Sequence, residues 1–146
     1  MPIKAAAATV SGAAADDTQP LGPMTDAELR VVRDFLGLTG AWLANHLGVE
    51  ARTVRRWEAG ISPIPDAVRV EMGRLEELAA ASVELAIQQL NDARDAVILT
   101  YRDDEDLRLA HPEQLFPAAY HRAIVARVAH DVPGLTIRYV NGSSGA

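Results

Sequence analysis

Between Arg52 and Arg74, five arginines stand against Glu58, Asp66 and Glu71, a local charge of +2 in a chain of 146 residues whose formal net charge is −6. Arg52 and Arg55 are three apart and share a face on a helix, with Arg56 adjoining it. A guanidinium fork can bond guanine O6 and N7 together, a pair worth about 1–3 kcal/mol of discrimination between bases, and elsewhere the same group neutralises a phosphate. Three arginines on a helix are, by themselves, most often a solvated face, so the surrounding elements decide their meaning. Other chemistry is poorly supplied. With no cysteine, thiolate zinc sites, iron–sulfur clusters, cysteine nucleophiles and disulfides are all excluded. His111, His121 and His130 fall on no common helical face. The run Asp103–Asp106 lacks the glycine turn and distal glutamate of a calcium loop and reads as helix capping. With no phosphate loop, no Gly-x-Ser-x-Gly and no nucleophile–base spacing, the sequence predicts no enzyme, cofactor or metal.

The arginines need a scaffold, and the residues around them supply one. Thr25-Asp-Ala-Glu28 has the capping-box pattern directly before an apolar period of Leu29, Val32, Phe35 and Leu36, which Gly37 ends. Thr39 caps a second helix, Gly40 to Leu47, that buries Leu43, Ala44 and Leu47. A third helix, Glu50 to Ala59, buries Val54 and Trp57 and is closed by Gly60. The spacing Ala44-x3-Gly48-x5-Val54 gives two steeply crossing helices what they need: a small contact residue, a turn residue able to take positive φ, and a branched wedge.

Leu38-Thr-Gly-Ala-Trp-Leu-Ala-Asn-His-Leu-Gly-Val49 followed by Thr53-Val-Arg-Arg-Trp-Glu-Ala-Gly60 resembles the helix-turn-helix of the Cro/repressor (XRE) regulators, over about Thr25 to Pro65. The resemblance implies that the second helix of the motif enters the major groove of double-stranded DNA. By position, Ala51, Arg52, Thr53 and Arg55 become the base readers and Arg56 a phosphate contact, with Thr39 and Gly40 also at the DNA. It further implies a bridge between Arg33 and Glu58 that orients the reading helix. The chain departs from the family's pattern twice, at Gly40, where glutamine is frequent, and at Glu50, where a small hydroxyl residue is frequent. Glu50 suits the helix dipole yet repels phosphates, unless it accepts from a cytosine amino group.

Pro65-Asp66 opens a long helix, up to Arg94, whose apolar stripe runs through Val68, Met72, Leu75, Ala79, Val83, Ala86 and Leu90. Such a stripe requires cover from the C-terminal segment, a second copy or both; as a dimer seam its residues are Met72, Leu75, Ala79, Val83, Ala86 and Leu90. Gly73 is a point where the helix can kink. Strands are predicted at Ala96–Tyr101 and Leu135–Val140, with short helices at 103–110 and 117–130 between them. The predicted fold is mainly α: a leader over 1–23, a helix-turn-helix bundle over 24–65, a connecting helix over 66–95, a small α+β cap of two strands and two helices over 96–140, and a flexible tail over 141–146. This layout resembles phage and prophage regulators of the anti-CRISPR-associated kind, whose C-terminal part dimerises and which repress their own operon. No stretch approaches the roughly 20 apolar residues of a membrane span. The function expected is a dimeric autorepressor on an inverted repeat, in the cytoplasm of a bacterial or phage-infected cell. The alternative is an antitoxin or phage adaptor whose acidic C-terminal region, with nine carboxylates against Arg94 and Arg102 over Glu76 to Asp106, masks a protein partner.

Overall fold

The computed structural model describes residues 22–140, so the predicted tail and nearly all of the predicted leader lie outside the described residues. Within them the chain is mainly helical. Helix α1 is Asp26–Phe35, α2 Gly40–Leu47, α3 Ala51–Glu58 and α4 Asp66–Leu90; strand β1 (Val97–Thr100), helices α5 (Asp104–Ala110) and α6 (Ala118–Asp131) and strand β2 (Thr136–Tyr139) complete it.

The helix starts follow from side chains that satisfy orphan amides. Thr25 forms a reciprocal capping box with Glu28 at α1, Thr39 accepts from the Trp42 amide at 3.0 Å at α2, and Asp103 accepts from the Asp106 amide at 2.9 Å at α5. Helix α6 begins after Pro117, which cannot cap with its side chain; Asp104, fourteen residues earlier, accepts from the Ala118 amide at 2.8 Å instead. Gly48, at φ +71°, ends α2 in the left-handed conformation and sends the chain into α3.

Helix α4 runs unbroken through Gly73 and ends at Leu90, a turn short of Arg94, where residues 91–95 turn and Asp95 takes a φ of 51°. Its stripe is shared between two clusters. In the larger, Val68, Met72, Leu75 and Ala79 join Leu29, Leu36, Leu43, Val54 and Trp57 from α1–α3 and Tyr120 from α6. In the smaller, Val83 meets Val128 and Val132, flanked by Ala86, Ile87, Leu90 and Ile98. Leu29, Leu43, Met72 and Leu75 are fully buried, each worth about 2–3 kcal/mol of hydrophobic stabilisation.

Strands β1 and β2 pair in parallel, from Val97 opposite Thr136 to Thr100 opposite Tyr139. Two parallel strands need a crossover between them, and α5 and α6 provide it. Ile98 and Thr100 are on the covered side of β1, whereas Val97 and Leu99 stand exposed. The turn between α1 and α2 seats directly on the first turn of α6: Gly37, at φ +70°, lies so close to the Ala119 carbonyl that a Cβ there would overlap it. The helix-turn-helix unit and the cap are thereby packed together.

Candidate nucleic-acid interface

Helix α3 owes its position to two buried residues and one ion pair. Val54 and Trp57 sink into the core, Ala51 and Glu58 are half-buried beside them, and the opposite face is left open. At its C-terminal end Glu58 receives Arg33 from α1 in a bidentate pair, Nε to Oε2 at 2.6 Å and Nη2 to Oε1 at 2.7 Å. The remaining Nη1 of Arg33 donates to the Leu38 carbonyl at 3.0 Å, and the Glu58 bond raises the Arg33 pKa. Both side chains are largely buried, so the guanidinium is fully spent on holding α3 against α1 and the entry to α2.

The open face of α3 carries Arg52, Arg55 and Arg56, all exposed, with Thr53 half-buried. Arg52 and Arg56, four apart, form one ridge, and Arg55 stands to its side. Arg56 donates from Nε to the Ser62 hydroxyl at 3.2 Å. Among the described residues, Arg52 and Arg55 take part in no ion pair. The guanidiniums of Arg52 and Arg55 stand unspent on this exposed face, free to meet an anionic or hydrogen-bond-accepting partner. Thr39 is exposed and its hydroxyl is engaged in capping α2; Gly40 is half-buried, and a Cβ on it would come to ordinary contact distance, 3.8 Å, from Val54. Thr39 and Gly40 therefore present the first turn of α2, and the arginines the open face of α3.

The stripe residues are placed differently from an open seam. Met72, Leu75, Ala79 and Val83 are buried within the single chain, and Ala86 and Leu90 are half-buried. The surface of α4 that remains open carries Leu78 and Leu85, with Ser82 between them. Beside it lies a groove of about 370 Å³ between α4 and the α5–α6 connection, lined by Leu78, Ser82, Gln114 and Phe116 among others, and beyond it Leu115 is 82% exposed.

Sequence reading left Trp42, His46 and Glu71 without a role. The Trp42 ring stacks on His46 at 4.9 Å and on Phe116 at 5.3 Å, Phe116 stacks on Tyr120 at 4.2 Å, and the indole N–H donates to the Leu115 carbonyl at 3.1 Å. His46 Nε2 donates to Glu71 at 2.6 Å; hydrogen bonds from Arg74, and then from His46, lower the Glu71 pKa to about 2. This chain of contacts ties α2 to α4 and to the cap. Only Glu71–Arg74, three apart on one helix, is legible from spacing.

In the cap, Thr100 Oγ1 and His121 Nδ1 share a hydrogen bond of 2.8 Å, and burial, assisted by His111 and Arg122, lowers the His121 pKa. Among the described residues no group of three or more His, Asp or Glu is arranged to hold a metal ion, and no helix is long and apolar enough to cross a membrane.

The chain is similar to the Aca2 repressor of Pectobacterium phage ZF40, at 39% identity over 72 residues that cover 49% of this chain. The match spans 58% of the length of that relative. Residues 24–135, from Met24 in the core of the helix-turn-helix unit to the residue before β2, match the model of the Aca2/YdiL-like family, and the chain belongs to that family.

Proposed function

We propose that this chain is a transcriptional repressor of the Cro/repressor (XRE) type that binds an inverted repeat of double-stranded DNA as a homodimer, with α3 in the major groove. The observation that carries the reading is the exposed arginine face of α3, with Arg52 and Arg55 in no ion pair, on a helix fixed from behind by Val54, Trp57 and the Arg33–Glu58 pair. A helix of this size fits the major groove, and its guanidiniums meet both guanine edges and phosphates there. Arg52 and Arg55 read bases, with Ala51 and Thr53 beside them. Arg56, steered by Ser62, and the first turn of α2 at Thr39 and Gly40 hold the phosphate backbone. The name of the phage relative, a repressor, supports the same reading.

The protein needs no cofactor and performs no reaction; it represses by occupying a promoter, its own included, in the cytoplasm of a bacterial or phage-infected cell. Because the α4 stripe is spent on the chain's own core, the second copy sits on the open side of α4. Leu78 and Leu85 flank the small Ser82, and the adjacent groove, whose lining carries no fixed charge, receives what the partner projects. A two-fold arrangement sets the two reading helices about 34 Å apart, in successive major grooves.

Fluorescence anisotropy of the full chain against DNA from its own upstream region, at two salt concentrations, tests the reading. The expected result is tight binding by the wild type. Arg52→Ala loses about 1–3 kcal/mol on that site and relaxes preference at one base pair, whereas Arg56→Ala weakens all sequences alike and flattens the salt dependence. Wild-type binding no tighter than to random DNA overturns the proposal.

A further inference from the structure

We propose that Glu50 is a specificity residue of the DNA interface, its carboxylate accepting a hydrogen bond from the exocyclic amino group of a cytosine in the major groove; this rests on the DNA-binding reading above. Glu50 is the N-cap of α3, yet its side chain makes no cap hydrogen bond, unlike the N-cap side chains of α1, α2 and α5. Its backbone is nonetheless fixed: the Glu50 carbonyl accepts from the Thr53 amide at 2.9 Å. The side chain is exposed and, among the described residues, enters no ion pair, although Arg52, Arg55 and Arg56 follow within six positions. An anchored residue with an unspent carboxylate therefore stands at the leading end of the reading helix.

A carboxylate in that place is unfavourable on DNA in general. Phosphates repel it, and the helix dipole offsets only part of that. Carried into the major groove, it meets one of four edge patterns. Guanine presents acceptors alone, and thymine an acceptor and a methyl group, so against either the carboxylate loses its water and gains no partner. Adenine presents its amino donor beside the N7 acceptor, which faces the second carboxylate oxygen. Cytosine alone presents a donor without an acceptor on the same base, which suits a group that only accepts. Glu50 and Arg52 then form an acceptor and a donor on one end of the helix, suited to a cytosine and a guanine. The same charge lowers affinity for every sequence that lacks the cytosine, so Glu50 adds discrimination chiefly by penalising wrong sites.

The test is competition anisotropy of the full chain, as wild type, Glu50→Ala and Glu50→Gln, against its upstream site, every single-base-pair substitution of that site, and a random duplex. Circular dichroism confirms that each variant is folded. In the wild type, replacing one particular C·G pair weakens binding by about 5- to 150-fold, the range of a single specific base contact. Glu50→Ala abolishes the difference at that pair alone and tightens binding to the random duplex. Glu50→Gln moves the preference at that pair to adenine, which an amide bonds at N6 and N7. A profile unchanged at every position in Glu50→Ala overturns the role of Glu50 and leaves the DNA-binding reading standing. A wild type with no preference for its site over the random duplex overturns both.

Discussion

His121 shows how one half-buried side chain makes the cap sensitive to acid. It is packed edge-on against Tyr101, with ring centroids 5.0 Å apart, and bonded to Thr100, so it joins α6 to the end of β1. Burial first, then His111 and Arg122, lower its pKa from the ordinary 6.5. The unfolded chain accordingly takes up a proton at a higher pH than the folded one. Stability is complete above about pH 6.5 and is lost as the pH falls through the lower, folded value. Glu71 acts in a separate, more acidic window: its carboxylate, lowered from 4.5 to about 2, contributes stability above 4.5 that is lost only as the pH falls towards about 2. Thermal melts between about pH 7.5 and 5 therefore stay clear of the Glu71 window, and comparison with a His121 variant singles out the histidine. The midpoint is expected to fall below about pH 6.5 in the wild type and to fall less in His121→Gln, whose amide can still bond Thr100 without titrating. Equal slopes in the two proteins rule out this role for His121. The Arg33–Glu58 pair differs in kind, because its bidentate hydrogen bonds fix where α3 lies and serve geometry alone.

Two glycines with the same backbone angle separate what a turn requires from what a packed element requires. Gly37 and Gly48 have φ of +70° and +71°, so alanine is strained at both by about 1–2 kcal/mol. At Gly48 a methyl group meets nothing within 4 Å, whereas at Gly37 it overlaps the Ala119 carbonyl. Urea unfolding is expected to show Gly48→Ala near that strain value and Gly37→Ala costing at least about 1 kcal/mol more, because the first turn of α6 has to withdraw. Equal costs refute the close seating of the α1–α2 turn on α6. The same contrast marks what the sequence makes legible. Gly37, Gly48 and Gly60 bound the helices because each acts within its own turn, and Thr25, Thr39 and Asp103 cap within three residues. The arginine ridge was readable for the same reason, since Arg52, Arg55 and Arg56 share one helix. Gly37 against Ala119, Asp104 capping α6, Trp42 on Phe116 and the parallel pairing of β1 with β2 join residues distant along the chain, and no local period encodes them. The α4 stripe lies between the two cases: its period fixes which face is buried, but not which element covers it.

At the scale of the whole molecule the proposed dimer turns on how far apart two copies of α3 would be held. The Gly37 seat and the stack from His46 through Trp42 and Phe116 to Tyr120 fasten the helix-turn-helix unit to the cap, so any contact between two copies fixes the placement of both arginine ridges. That rigidity makes the second copy measurable through DNA. Leu85 is 57% exposed and sits on the open side of α4, so a charge there leaves the core of a single chain intact while placing a carboxylate in the proposed seam. Light scattering is expected to give the wild type a mass twice the 15.7 kDa of one chain, and Leu85→Glu a mass of one. On DNA the variant is expected to bind the full inverted repeat no more tightly than a single half-site, because linking two half-sites is what converts the second contact into an intramolecular one. At high protein concentration its melting temperature is expected to fall below that of wild type by what the dimer adds to stability through mass action, which a dilution series of melts measures separately. A Leu85→Glu protein that stays dimeric places the seam elsewhere on the molecule. A variant that is monomeric yet keeps full-repeat affinity breaks the link between assembly and reading, since the two arginine ridges would then reach their half-sites without being held together.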